Sequence, residues 1–442
     1  MMTEGNVLAV GKPRIGSLID GNPSTPLVTV QLQDTGQDLE VTIPLGSLQD
    51  PGPYGSWFQG FQTQKNPATS AKIPPVLLFV DVDGPVALAG CTFSSQRHSF
   101  SMGQGRIRVD YAILGARHLN YEKINGIRVS MPALSSWTQL RSLHLERRVD
   151  AVGRTQTVNV RLDSPDRIQL ARRVNLSLRP TWSTSMNPDG GTFTANDVVE
   201  LMTATKKNRQ WTDHLDPVFA VRELMMLSAW RHFGFSSVSV NRGDDPETVL
   251  SGDAVGEKWA PVASHRFPKH FETDKQPRFI FLHSDIGPSG VRNWLRLRQK
   301  FARSIRPLVS LLDQGHSYAE TELLQSGLAI EALGHQLLID QGKIESGKRH
   351  QSNYWEYASA ILDDMTFVPL EDPVAWKTLS KDTYRGVKHA DNEKPDILDM
   401  LNAHRENVLI MRFWLAGRLG VPVATLQSRL PLDPLATPYT QG

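Results

Sequence analysis

The hydrophobic period changes partway along this chain, and that change confines it to two kinds of structure in one polypeptide. Up to about residue 190 the apolar residues fall in short, β-branched runs. They are LVTVQL (27–32), LEVTI (39–43), VLLFV (76–80), RIRVDYAI (106–113), IRVSM (127–131), TVNVRL (157–162) and VNLSL (174–178). Turn signals such as GNPSTP, DPGPYG, DVDGP and MGQG separate them. Alternation with a period of two and short spacers predicts antiparallel strands in a sandwich or barrel-like domain.

Past about residue 288 the period is 3.6. Trp294, Leu297, Phe301, Ile305, Leu308 and Leu312 form one helical stripe, which Pro307 is expected to kink. Further helices are predicted over about 317–340, 353–364, from Asp372-Pro373 onward, and from Asp396 to Gly417. Helices at this density make a bundle. Between the two regimes the chain is mixed. DPVFAVRELMMLSAWRHFG (216–234) reads as a helix capped by Asp216 with Pro217 first inside, RFIFLH (278–283) reads as a strand, and SDIGPSG (284–290) marks a boundary. The expected organisation is α+β and multidomain: a β-rich part over 1–190, a mixed extension over 191–288, an all-α bundle over 289–425 and a flexible tail over 426–442.

Composition narrows the function classes. With a net charge of only +2 over 442 residues, any polyanion site must be a local patch. A single cysteine, Cys91, rules out an intramolecular disulfide framework and a cysteine zinc cage. MMTEGNVLAVGKPRIGSL lacks a signal-peptide core, and no apolar run approaches membrane-spanning length. A cytoplasmic protein without a membrane partner is expected.

Candidate chemistry concentrates in the helical part. Arg292, Arg296, Arg303 and Arg306 recur along a helix face opposite the apolar stripe, where guanidinium forks could bind backbone phosphates; a solvated face is the plainer explanation. His265 and His270 lack a third ligand at metal spacing, and DVDG (81–84) reads as a strand-ending turn. Glu331 lies on the apolar stripe of its helix, one turn before His335, so a cation or donor must meet it; Arg385 is one candidate, with solvent or His335 as the alternatives. His404, also on a stripe, fits a hydrogen-bonded core histidine. In DTYRGVKHAD (382–391), Arg385 and His389 stand four residues apart. Such a pair has the chemistry for RNA cleavage without metal: histidine moves protons near neutral pH, and arginine stabilises charge on a phosphorane.

LLQSGLAIEALGHQLL (323–338), YRGVKHAD (384–391) and the helix from Asp396 resemble the HEPN superfamily. GCTFSSQRHSFSMGQGRIRVDYAILGARH (90–118) and INGIRVSMPALSSW (124–137) resemble the N-terminal domain of ApeA-type anti-phage proteins. The resemblance implies a cytoplasmic endoribonuclease, needing neither metal nor cofactor, that cuts cellular RNA such as tRNA during abortive infection. It further implies a homodimer or higher homo-oligomer formed through the bundle, with a phage protein as trigger. Arg385 and His389 take the positions of the family's catalytic pair, with Glu331 in support; Arg292, Arg296, Arg303 and Lys388 are the cations placed to bind RNA. Three residues separate Arg385 from His389, where the family has four to six. The alternative is a HEPN-type interaction or sensor protein that binds RNA or a phage component without cutting.

Overall fold

A computed structural model describes residues 5–47, 49–50, 52–59, 73–99, 101–187, 190–249, 251–270, 276–315, 317–347 and 353–440. The first elements are β1 (Arg14–Ile19), β2 (Thr29–Asp34), β3 (Leu39–Leu45), α1 (Ser56–Gln59), β4 (Val76–Asp81), β5 (Gly84–Ala89) and β6 (Thr92–His98). Next come β7 (Gly103–Val109), β8 (Tyr111–Leu114), β9 (Lys123–Ser130), α2 (Pro132–Thr138), β10 (Leu143–Val149), β11 (Thr155–Leu162) and β12 (Ile168–Ala171). They are followed by β13 (Leu176–Met186), β14 (Phe193–Gln210), α3 (Trp211–Ala229), β15 (Ser237–Asn241), β16 (Glu247–Thr248), β17 (Ala254–Gly256) and β18 (Trp259–Ala263). The remainder is helical: α4 (His283–Lys300), α5 (Ala302–Gln314), α6 (Ala319–Asp340), α7 (Tyr354–Asp364), α8 (Pro373–Lys388), α9 (Ile397–Arg418) and α10 (Val423–Arg429). The α+β architecture expected from the two periods is present.

The chain divides into two compact units that interleave along the sequence. The first holds Met1–Ser130, Glu200–Asp216 and Gly234–His270. Its strands run β14-β9-β15-β18-β8-β5-β4-β1-β2-β3-β7-β6, with antiparallel pairing. β2 and β3 alternate as predicted and send Val30, Leu32, Val41 and Ile43 inward. They meet Phe79 of β4, Leu88 of β5 and Ile107 of β7 in one cluster, closed by Trp57 and Phe58 of α1. The DVDG stretch is the predicted turn: Asp81 accepts the backbone N–H of Asp83 and Gly84 and pairs with buried Arg14. His265 is taken up by Asp34, at 2.7 Å. Burial pushes the Cys91 thiol up to about 12.

The second unit holds Met131–Val199, Pro217–Phe233 and Phe271–Gly442. It contains the ladder β12-β13-β14, the separate hairpin β10-β11, and the helices from α4 onward. α6 packs against α5, α7, α8 and α9, and so forms the centre of the helical part.

Four local expectations are corrected. RFIFLH is not a strand. The Ile280 N–H bonds the Ser228 carbonyl, the Phe281 carbonyl accepts from Trp137 Nε1 and Ser228 Oγ, and α4 begins at His283. Side chains distant in sequence thus satisfy a backbone that an apolar run alone assigns to a ladder. SDIGPSG lies inside α4 and bends it at Gly287, whose φ is 57°. α3 starts at Trp211 rather than Pro217, because β14 passes directly into a turn that buries the Trp211 indole on the Tyr111 ring, 4.0 Å away. The stripe from Trp294 to Leu312 breaks at Phe301, between α4 and α5, while Pro307 sits inside α5.

The C-terminal stretch is anchored rather than frayed as far as Leu435, with a backbone tie at Tyr439. Asp433 is buried and accepts two hydrogen bonds from fully buried Arg412, at 2.9 and 2.6 Å. Leu435 is buried, and the Tyr439 N–H bonds Asn402. Residues 441–442 of the expected flexible tail lie outside the described residues. Among the described residues, no helix is long and apolar enough to cross a membrane.

Candidate functional site

α8 carries the candidate pair at its C-terminal end. Its start follows from sequence: Asp372 caps the N–H groups of Val374 and Ala375, with Pro373 in the first helical position. Trp376, Ser380 and Tyr384 recur every fourth residue and form its buried stripe. Arg385 follows Tyr384 and turns about 100° away from it, so it is exposed. His389 is the C-cap residue, with extended backbone (φ −120°, ψ 114°); its N–H still donates to the Arg385 carbonyl at 3.1 Å. The helix therefore ends between the two residues, and His389 starts the following loop. Neither side chain has a partner among the described residues.

Gly386 sets the path of that loop. A Cβ there would stand 2.6 Å from Pro395 Cγ and 3.1 Å from the Glu393 carbonyl, so glycine lets residues 393–395 fold back onto α8. Asn392 Nδ2 donates to the Arg385 carbonyl at 3.0 Å, and Lys394 pairs with Glu320 of α6 at 2.7 Å. The loop is pinned at both ends.

Glu331 of α6 does not meet Arg385. Its carboxylate accepts the Tyr384 hydroxyl at 3.0 Å and lies 3.5 Å from Lys388 Nζ. Tyr384 and Lys388, four apart, share the helix face that looks at α6, whereas Arg385 stands off that face. Burial, followed by the Glu331 charge, pushes the Tyr384 phenol up and keeps it a donor. Gly327, one turn before Glu331, makes room for the ring: a Cβ would overlap Tyr384 Cδ2. His335 lies edge-on to the Tyr357 ring, with centroids 6.0 Å apart. His404 is the expected core histidine. It is held by the Glu322 carbonyl at 3.0 Å, and burial pushes it down to about 4.

The arginine stripe is divided. Arg292 and Arg296 lie exposed on α4, and Arg303 and Arg306 lie exposed on α5, with the break at Phe301 between them. α4 has its main contacts with β12, α2 and α5, and α5 with α6, while α8 packs on α6, α7 and α9. The structure thus brings Glu331 to Lys388, but does not gather the four arginines beside Arg385 and His389. Among the described residues, no group of three or more His, Cys, Asp or Glu is arranged to hold a metal ion.

The profile of ApeA N-terminal domain 1 matches residues 26–296, well over half of the chain. The chain belongs to the ApeA family. Membership points to anti-phage defence as its setting. The ApeA match runs through segments of both compact units and ends inside α4, so α5 to α10, with Arg385 and His389, lie beyond it. No curated protein and no solved structure matches the chain.

Behind the candidate pair lies a polar network that sequence reasoning missed. Asn407 Oδ1 of α9 accepts from Trp376 Nε1 at 2.9 Å and Ser380 Oγ at 2.6 Å, while its Nδ2 reaches Ser326 of α6 at 3.4 Å. Tyr354 of α7 shares a 2.7 Å bond with Ser380 and lies against Tyr384, with ring centroids 5.4 Å apart. Ser326, Ser380 and Asn407 are completely buried. The readable signal was Ser380, a small polar residue between Trp376 and Tyr384 on one stripe.

Proposed function

We propose that the chain is an endoribonuclease of anti-phage defence, with Arg385 and His389 as its active pair. The observation that carries this reading is the state of the pair. An arginine in the last turn of α8 and a histidine at the start of the loop held by Gly386 and Asn392 stand exposed, with no side-chain partner among the described residues, on a helix fixed by the Tyr384–Glu331 bond. Exposed side chains with no structural partner among the described residues, on a rigid support, are available to a ligand.

In the reaction, His389 takes the proton from a ribose 2′-OH as that oxygen attacks phosphorus. The P–O5′ bond breaks, the 5′-oxygen leaves protonated, and the products end in a 2′,3′-cyclic phosphate and a 5′-OH. Arg385 faces the charge that grows on the phosphorane oxygens. Lys388, held beside Glu331, adds positive charge next to the site. A dimer formed through the helical part would supply two such pairs, one histidine removing the proton and the other protonating the leaving group. Cellular RNA, tRNA included, is the substrate class, and a phage protein is the trigger.

The test is the chemistry of the ends. RNA incubated in EDTA with activated full-length protein is expected to carry cyclic phosphates, and His389→Ala is expected to produce none. Equal cleavage by both proteins would remove His389 from the mechanism.

A further inference from the structure

The hairpin β10-β11 stands apart from every other sheet of the second unit. Its register runs from Leu143 opposite Leu162 to Val149 opposite Thr155, and nearly every residue in it is exposed. Seven to eight residues per strand give a ribbon roughly 25 Å long. Two strands alone are marginally stable in water.

Its charge is unusual for this chain. Residues 141–180 contain nine arginines, no lysine and four acidic residues, a formal +5. The whole chain carries +2, so everything else sums to −3. Arg147, Arg148, Arg154, Arg167, Arg172 and Arg173 are exposed, and their side chains have no partner among the described residues. On the ribbon, Arg148 stands on the face of His144 and Arg161, Arg147 on the face of Leu145, Val158 and Val160, and Arg154 at the tip. Trp182 adds an aromatic surface: it is 40% exposed, and its Nε1 donates to Ser164 Oγ, just past the ribbon, at 3.2 Å. On α4, Arg292 Nη1 donates to the Leu170 carbonyl of β12, which places that arginine beside the Arg172-Arg173 turn.

We propose that the β10-β11 ribbon is a nucleic-acid-binding arm that grips the phosphodiester backbone through Arg147, Arg148 and Arg154. Arginine forks match phosphate oxygens bidentately. A two-stranded ribbon is narrow enough to lie in a duplex groove, where aliphatic side chains such as Val158 and Val160 meet sugars and base edges. Trp182 offers a stacking platform for an unpaired base. The choice of RNA over DNA rests on the ribonuclease reading; the backbone contact does not.

The test is fluorescence anisotropy of full-length protein with single-stranded RNA, duplex RNA and duplex DNA, each of about 20 units, over a salt series. Arg147→Ala/Arg148→Ala/Arg154→Ala is expected to weaken binding at least tenfold at low salt. It should also flatten the log–log salt slope by about 2, since each phosphate contact contributes roughly 0.7 to 0.9. The RNA probes carry 2′-O-methyl riboses, which lack the attacking hydroxyl, so anisotropy reads the arm alone and a failed active pair gives a separate result. The nucleic acid with the largest arginine-dependent slope is the ligand. Unchanged affinity and slope in the arginine variant overturn the proposal. So does a self-association, seen by size-exclusion chromatography, that Val158→Thr/Val160→Thr abolishes and the arginine variant leaves intact, because the ribbon would then be a protein-docking face.

Discussion

The Tyr384 hydroxyl donates to the Glu331 carboxylate across the α6–α8 contact, at 3.0 Å. This bond fixes the end of α8 that bears Arg385 and His389, and it has a packing counterpart in Gly327 beneath the ring. Tyr384→Phe is expected to cost about 1.5–3 kcal/mol in urea unfolding, the scale of one hydrogen bond to a charged group. Gly327→Ala is expected to cost about 1–3 kcal/mol, because the ring must move. If both are neutral, the support assigned to α8 is wrong.

Asn407 of α9 accepts from two α8 donors, Trp376 Nε1 and Ser380 Oγ, and donates to Ser326 of α6, all of them buried. Asn407→Leu leaves Trp376 Nε1 and Ser380 Oγ buried with one acceptor lost. A loss of about 2–4 kcal/mol is expected, read as a lower thermal midpoint.

His404 makes the fold sensitive to acid. Burial holds it near 4 in the folded state, against about 6.5 when unfolded. Between those values the unfolded chain binds the extra proton, so this contribution is complete above pH 6.5 and is lost as pH falls toward 4. It amounts to about 3 kcal/mol at most. His404→Gln should flatten the difference in urea midpoint between pH 7 and pH 4.5; an unchanged difference would assign acid sensitivity to other groups.

Arg412 and Asp433 form an ion pair with both side chains essentially inaccessible to water. Asp433→Ala strands a buried guanidinium and is expected to cost about 3–5 kcal/mol, measured by thermal unfolding. The Arg412 bonds to the Leu227 and Ser228 carbonyls remain, and they set the lower end of that range.

Much of this architecture was readable from period alone. β2, β3, β4 and β11 lie where alternation or apolar runs put them, and α6 to α9 fall within a few residues of their predicted spans. What failed was whatever depended on residues distant in sequence. Ser228 and Trp137 turn the RFIFLH run into a bonded non-strand. β10 went unread because Glu146-Arg147-Arg148 hides its alternation. The apolar stripe shows that Glu331 needs a partner, but spacing alone does not distinguish Arg385 from Tyr384 and Lys388, which share the face turned to α6. The Pro-rich end read as loose because Arg412, more than twenty residues back, supplies its anchor.

Whether Arg385 and His389 cut RNA during infection is read from the ends the cut leaves. The most direct measurement is transcriptome-wide mapping of 2′,3′-cyclic phosphate ends in phage-infected cells expressing the full chain or His389→Ala at equal levels. New cyclic-phosphate ends and arrested infection are expected with the parent protein, and neither with His389→Ala. The same ends, or the same protection, with His389→Ala would contradict the assignment of the pair.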